Sequence, residues 1–211
     1  IGSGYTGLSA ALTLARNGTR VAILEAETIG WGASSRNGGM VLTGLKLPMQ
    51  TVIKKYGREL AKRLFQCSLD SIDTVEEIVR EEKIDCGFAR TGHLLAANKP
   101  KHFDALKSEV EFMAKEFNHK VHLVTPGEMQ SEIGSQVYHG ALVDEVSAGV
   151  NPAQFVAGLA RAAENAGATL HARARVNRLE RRGTRFVLET GRGMVEAESV
   201  LVATSGYTGQ T

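Results

Sequence analysis

Ile1-Gly2-Ser3-Gly4-Tyr5-Thr6-Gly7 opens the chain, and Arg20-Val21-Ala22-Ile23-Leu24-Glu25 follows one helix later. Gly2, Gly4 and Gly7 are spaced G-x-G-x-x-G. Leu8, Ala11, Leu12 and Ala15 then recur at i, i+3, i+4, i+7, which predicts an amphipathic helix ending at Asn17-Gly18. The apolar run after it reads as a buried strand closing on an acid. This order has a chemical reason. The first glycine turns the chain sharply out of a strand, the second leaves room for a pyrophosphate against the backbone, and the third lets the helix pack close to the sheet. The diphosphate then faces the unpaired N–H groups at the positive end of the helix. Glu25 stands where a carboxylate accepts hydrogen bonds from the adenosine ribose and repels a 2′-phosphate. A dinucleotide is the expected ligand. NAD and FAD both satisfy the fingerprint, so an NAD-dependent dehydrogenase and a non-catalytic dinucleotide-binding subunit stay open at this point.

Working outward, only Ile1 precedes Gly2, although such a turn follows a strand. The chain is therefore expected to be a piece of a longer protein, and any targeting signal is out of sight. Its 211 residues, 43% of them hydrophobic, are enough for a buried core. Twenty-five basic against 23 acidic residues leave +2, with no basic cluster interleaved with aromatics. Neither a nucleic-acid partner nor a membrane span is expected, because no apolar run approaches about 20 residues. Cys67 and Cys86 form no C-x-x-C and read as two buried, reduced thiols, in keeping with a cytoplasmic location.

Beyond Glu25, the small and polar segment from Gly30 to Met40 reads as a ligand-lining loop with a helix start. Residues 58–83 read as a helix interrupted near Ser68, with Leu60, Leu64, Cys67, Ser71, Val75, Ile78 and Val79 on the packed face. Residues 88–145 predict strand, helix, strand, short helix and a last strand from Val137 to Val143. Asn151-Pro152 starts a helix that stops at Ala166-Gly167, and a strand follows. Three short strands, 175–180, 185–189 and 194–197, are divided by glycine turns and predict an antiparallel meander. Ser199-Val200-Leu201-Val202-Ala203 reads as a strand buried on both faces, entering Thr204-Ser205-Gly206.

This order resembles the glutathione-reductase-type FAD-binding fold: an α/β Rossmann-like domain with a three-stranded β-meander, joined here by part of an α+β substrate domain. Gly30-Trp31-Gly32-Ala33-Ser34-Ser35-Arg36-Asn37-Gly38-Gly39 and Ser147-Ala148-Gly149-Val150-Asn151-Pro152 are similar to the D-amino-acid oxidase superfamily, the first of them to its γ-glutamylputrescine oxidoreductase-like branch. The resemblance implies an FAD-binding domain of residues 1–87 and 146–211 and a partial substrate domain of residues 88–145. It puts Gly2, Gly4, Tyr5, Thr6 and Gly7 at the pyrophosphate, and Glu25 with Ala26 at the adenosine ribose. Ala33, Ser34, Asn37, Gly38, Gly39 and Met40 would lie along the pyrophosphate, ribityl chain and flavin ring. The backbone of Val176 would meet the adenine, and Ala203, Thr204, Ser205 and Gly206 would form a second flavin-contacting turn. The first loop has no histidine, so the resemblance implies no covalent flavin attachment through it.

The activity so implied is oxidation of a C–N bond of a small amine or amino acid to an imine, with hydride passing to flavin N5 and the electrons to oxygen or another acceptor. Residues that bind the substrate are expected outside this chain, which alone is expected to be inactive. No catalytic residue and no metal ligand is assigned. His93, His102, His119, His122, His139 and His171 pair with no carboxylate at a motif spacing and read as structural or surface residues. Arg36 reads equally as a group facing the flavin or a substrate anion and as a cap on its loop. Tyr207 follows the second turn closely enough to line a substrate pocket, with packing as its first reading.

Overall fold

A computed structural model describes residues 1–208. In chain order it contains α1 (Tyr5–Arg16), β1 (Ala22–Leu24), a 3-10 turn (Ala33–Ser35), β2 (Met40–Val41), α2 (Met49–Tyr56), α3 (Arg58–Glu81), β3 (His93–Ala96), α4 (Pro100–Phe117) and β4 (His122–Val124). There follow α5 (Met129–Glu132), β5 (Ala141–Asp144), β6 (Ala148–Gly149), α6 (Pro152–Asn165), β7 (Thr169–His171), β8 (Val176–Arg182), β9 (Arg185–Thr190), β10 (Gly193–Ala197) and a 3-10 turn (Ser205–Tyr207). Two compact units divide them: residues 1–39, 78–86 and 151–211, and residues 40–77 and 87–150. Residues 40–77 thus group with 87–150. The assignment of an FAD-binding and a substrate domain to such units is a proposal.

The first unit is built around the parallel pair β1–β7, in which Ile23 lies opposite Leu170. The apolar stripe foreseen on α1 is buried in full, from Leu8 through Ala11 and Leu12 to Ala15, and α1 packs on α6. That second helix starts where the sequence said it would. The Asn151 side-chain oxygen accepts from the N–H groups of Ala153 and Gln154, and Pro152 has no N–H to satisfy. The meander is present with β9 central, antiparallel to β8 and β10. Leu24, Ala174 and Leu188 form a small buried cluster, with Ile1, Val176 and Val200 packed against it.

One strand expected here is not formed. Leu201 and Val202 are 50% and 52% exposed. Among the described residues, the backbone hydrogen bonds of the Leu201–Ala203 segment go to Ile1: the Ile1 nitrogen donates to the Leu201 carbonyl and the Ala203 N–H to that of Ile1. Backbone hydrogen bonds to one residue make no ladder, however apolar the stretch is.

In the second unit β5 is the central strand of a three-stranded antiparallel sheet ordered β3-β5-β4, and β2 pairs with β6. The strand foreseen from Val137 begins only at Ala141. Gly140 has φ +108°, a conformation that interrupts a strand, and Val137 is exposed. Helix α3 runs unbroken through Ser68, whose hydroxyl donates to the Phe65 carbonyl (2.6 Å) and accepts from the Gly44 N–H (2.8 Å). The helix also buries a different face: Ala61, Phe65, Ser68 and Ile72 point inward, while Leu60, Cys67 and Ser71 are exposed. The winning face belongs to the bulkiest ring, since Phe65 meets Phe117 and His119 with centroids 4.8 and 5.1 Å away. Cys67 is thereby a surface thiol, and Cys86 is buried.

Candidate cofactor site

The cradle closes through its glycines. Gly2 has φ +98°, and a Cβ on Gly7 would stand 2.0 Å from the Gly2 carbonyl oxygen. Helix α1 therefore starts in contact with the turn that precedes it, and no side chain fits between them. The Gly2 N–H donates to the Leu24 carbonyl (2.9 Å) and that of Glu25 to His171 (2.9 Å), which ties the turn to β1 and β7.

Glu25, just past β1, is held by a network that sequence reading missed. Ser3 is 1% exposed. Its N–H (2.9 Å) and hydroxyl (2.7 Å) both donate to Glu25 Oε2, and its hydroxyl accepts from the Gly30 N–H (2.9 Å). Glu27 N–H donates to Glu25 Oε1 (2.9 Å). Burial pushes the Glu25 carboxyl up, but the Glu27 N–H, the Ser3 hydroxyl and the N–H groups of Ser3 and Ala26 outweigh it and hold the group below its ordinary value. Glu25 is thus ionised and fixed in place, with an Oε1 lone pair to offer a ribose hydroxyl. The one sequence cue was a small hydroxyl residue between the first two glycines.

Because the folded carboxyl lies below its unfolded value, its stabilising contribution is complete above the ordinary carboxylate range and fades as pH falls through the folded value. Glu25→Gln leaves an amide nitrogen facing a backbone donor. It is expected to lower stability at neutral pH by about 1–3 kcal/mol. Urea unfolding measures this, and a variant as stable as the parent would refute the network.

The loop after β1 comes back to the cradle. Ser34 Oγ, on the 3-10 turn Ala33–Ser35, accepts from the Tyr5 N–H at the start of α1 (3.1 Å), and a Cβ on Gly4 would stand 2.9 Å from that oxygen. Asn37 folds its own loop and ties it to α1: its amide donates to the carbonyls of Ala33 (3.1 Å) and Ser34 (3.0 Å) and to the Tyr5 hydroxyl (3.3 Å), and its oxygen accepts from Gly39 N–H (2.8 Å). Gly38 is exposed and Gly39 buried. From the far side, Ala203 leads into the turn Ser205–Tyr207, where Ser205 has φ +50°. Gly4, Tyr5, Thr6, Ser34, Val202, Ala203 and Ser205 together line a cavity of about 330 Å³.

The residues at this cavity fit the diphosphate of a dinucleotide. It lies at the N-terminus of α1, small side chains and hydroxyls border it, and Ser34 Oγ occupies one helix N–H that an anion takes elsewhere. Among the expected residues, Gly2, Gly7, Gly4, Tyr5, Thr6, Ser34, Ala203 and Ser205 come together. Glu25 and Ala26 flank Ser3 at the same turn. Thr204 and Gly206 belong to the second turn, and Ala33 to the first. Val176 stands apart at the start of β8, opposite Thr190. Met40 lies in the second unit, exposed and paired with Gly149.

The model of the family described as FAD dependent oxidoreductase (DAO) matches residues 1–211. A probable oxidoreductase OrdL of Rhizobium meliloti is 35% identical over 210 residues, 99% of this chain and 49% of its own length. The γ-glutamylputrescine oxidoreductase of Escherichia coli is 32% identical over 209 residues, 99% of this chain and 49% of its own length. Among solved structures, glycine oxidase from Geobacillus kaustophilus superposes with a TM-score of 0.78 at 27% identity, over 96% of this chain and 53% of that one. The chain spans about half the length of the curated relatives it matches.

Proposed function

From the premise that this chain belongs to the FAD-dependent oxidoreductase (DAO) family, we propose that it holds FAD for the oxidation of a C–N bond in a small amine or amino acid. The observation that carries the proposal is the convergence of the glycine turn, Ser34 and the Ala203–Ser205 segment on one cavity. Tyr5, Thr6 and the loop from Ala33 to Gly39 would hold the diphosphate and the segment beyond it, Glu25 and Ala26 the ribose, and the Val176 backbone the adenine. Residues 1–87 with 146–211 would serve as the cofactor domain, and residues 88–145 as part of the substrate side. FAD, when bound, supplies a hydride acceptor at N5 for a C–H bond beside an amine nitrogen, leaving an imine that water hydrolyses, and returns the electrons to oxygen or another acceptor.

What these residues do is bind and orient. A neutral amine releases hydride without a general base, so none need be sought among the histidines. The γ-glutamylputrescine oxidoreductase and glycine oxidase similarities favour an amine or amino-acid substrate. Protein purified from the intact gene is expected to be yellow and to release hydrogen peroxide with one of γ-glutamylputrescine, sarcosine, glycine or a D-amino acid. A colourless protein that binds NADH would refute the proposal.

A further inference from the structure

Arg36 caps the 3-10 turn Ala33–Ser35, and its guanidinium carbon lies over the Trp31 ring, 4.5 Å from the centroid. Trp31 in turn meets Tyr207 edge-on, with centroids 6.1 Å apart and planes at 66°. Tyr207 lies against Gly32, its ring 3.3 Å from where a Cβ there would stand. Trp31 and Tyr207 are 42% and 60% exposed, and no carboxylate among the described residues pairs with Arg36.

The cluster joins the two turns that flank the cavity. Trp31 and Arg36 bracket Ser34, and Tyr207 closes the turn that begins at Ser205; Ser34 and Ser205 both line the cavity. The stack also prepares Arg36 for a particular ligand. A guanidinium over an aromatic face is held by the ring's negative π cloud, and its N–H donors, which lie in its own plane, are left free. A fork so held loses less rotamer entropy on binding an oxyanion in two-point fashion than a solvated arginine does. An exposed tryptophan that meets both an arginine and a tyrosine is also the composition of a binding surface rather than of average protein surface.

We propose that Trp31, Arg36 and Tyr207 form an oxyanion seat beside the cofactor cavity, in which Arg36 takes two oxygens of a carboxylate or phosphate, Trp31 fixes its plane and Tyr207 braces Trp31. The proposal rests on the FAD oxidoreductase reading and adds to it a specificity-determining residue. The oxyanion has two sources: the carboxylate of an amino-acid substrate, or the diphosphate of FAD itself.

Trp31 is the one tryptophan of these 211 residues, and subtracting the emission of a Trp31→Phe variant isolates its report on the seat. Acetate, a carboxylate that cannot be oxidised as an amine, is titrated into the FAD-loaded protein and its Arg36→Gln variant, and the FAD dissociation constant of each is measured by flavin fluorescence. The melting temperature of each shows that the variant is folded. If the seat takes substrate, acetate shifts Trp31 emission saturably, and the variant weakens that binding at least about tenfold, the worth of one charge-assisted pair, with FAD affinity unchanged. If it takes the cofactor, the variant instead weakens FAD at least about tenfold, more so at low salt. A folded variant in which both affinities stay within about twofold of the parent overturns the seat. In that case the protein is still yellow and the FAD reading stands, whereas a colourless parent fails that reading itself.

Discussion

Gly7→Ala is expected to remove FAD from this protein. The added Cβ would stand 2.0 Å from the Gly2 carbonyl oxygen and 3.1 Å from its carbon. Both are backbone, so no side chain can swing away. Gly2 is itself pinned, because its N–H bonds Leu24 and a Cβ at Gly2 would meet the Ala203 carbonyl at 2.5 Å. Relief must come from moving α1 away from the turn, which opens the cradle on the diphosphate side. A cost of about 3 kcal/mol, the upper end for overpacking, corresponds to a melting temperature lower by roughly 6–12 °C. If the displacement falls on the bound state alone, the same energy is about a hundredfold in FAD affinity. Gly191→Ala is the control, because nothing lies within 4 Å of its Cβ position. Visible absorbance after desalting reads the result, and a Gly7→Ala protein that keeps its flavin with affinity within threefold would show that the contact is not what shapes the site.

What could be read from the sequence was what is local. The glycine spacing, the stripe on α1, the Asn151-Pro152 cap and the meander turns each depend on residues within a few positions of one another, and each is found in place. The second turn of the site was legible as a motif, but its strand was not, because a run of apolar residues cannot reveal whether neighbours pair with it. On α3 two faces were similarly apolar, and only the rings of Phe117 and His119 decide between them. Ser3 was legible as a spacer and not as a donor, since its partner Glu25 is twenty-two residues away. The spacing of Arg36 and Trp31 was visible, but no periodicity predicts a cation over a ring.

Asp144→Ala is expected to cost about 3–5 kcal/mol, because it strands a buried histidine. His119 and Asp144, both 6% exposed, are joined from Nε2 to Oδ2 at 2.8 Å. The same oxygen accepts from the Thr43 hydroxyl (2.6 Å), and Oδ1 accepts from the Val146 N–H (3.0 Å). Three segments of the second unit thus meet on one carboxylate: the chain leaving β2, the start of the loop after α4 and the end of β5. Alanine leaves all three donors without an acceptor in a site too closed for free hydration. Asp144→Asn should cost less, since its oxygen still serves Val146 and its amide keeps a polar group beside His119. Burial pushes the Asp144 carboxyl up, but the bonds from His119 and Thr43, the histidine's charge and the Val146 N–H outweigh it and hold the group below its ordinary value. The unfolded state therefore takes up the proton first as pH falls. The contribution of Asp144 is complete above the ordinary carboxylate range and is lost through the folded value below it. Glu25 has the same sign, so the comparison is between variants: in urea melts from pH 7 downward, Asp144→Asn should show a shallower acid loss than the parent. If the two lose stability in parallel, the carboxyl titrates alike in the folded and unfolded protein, and its bonds to His119, Thr43 and Val146 do not favour the ionised form.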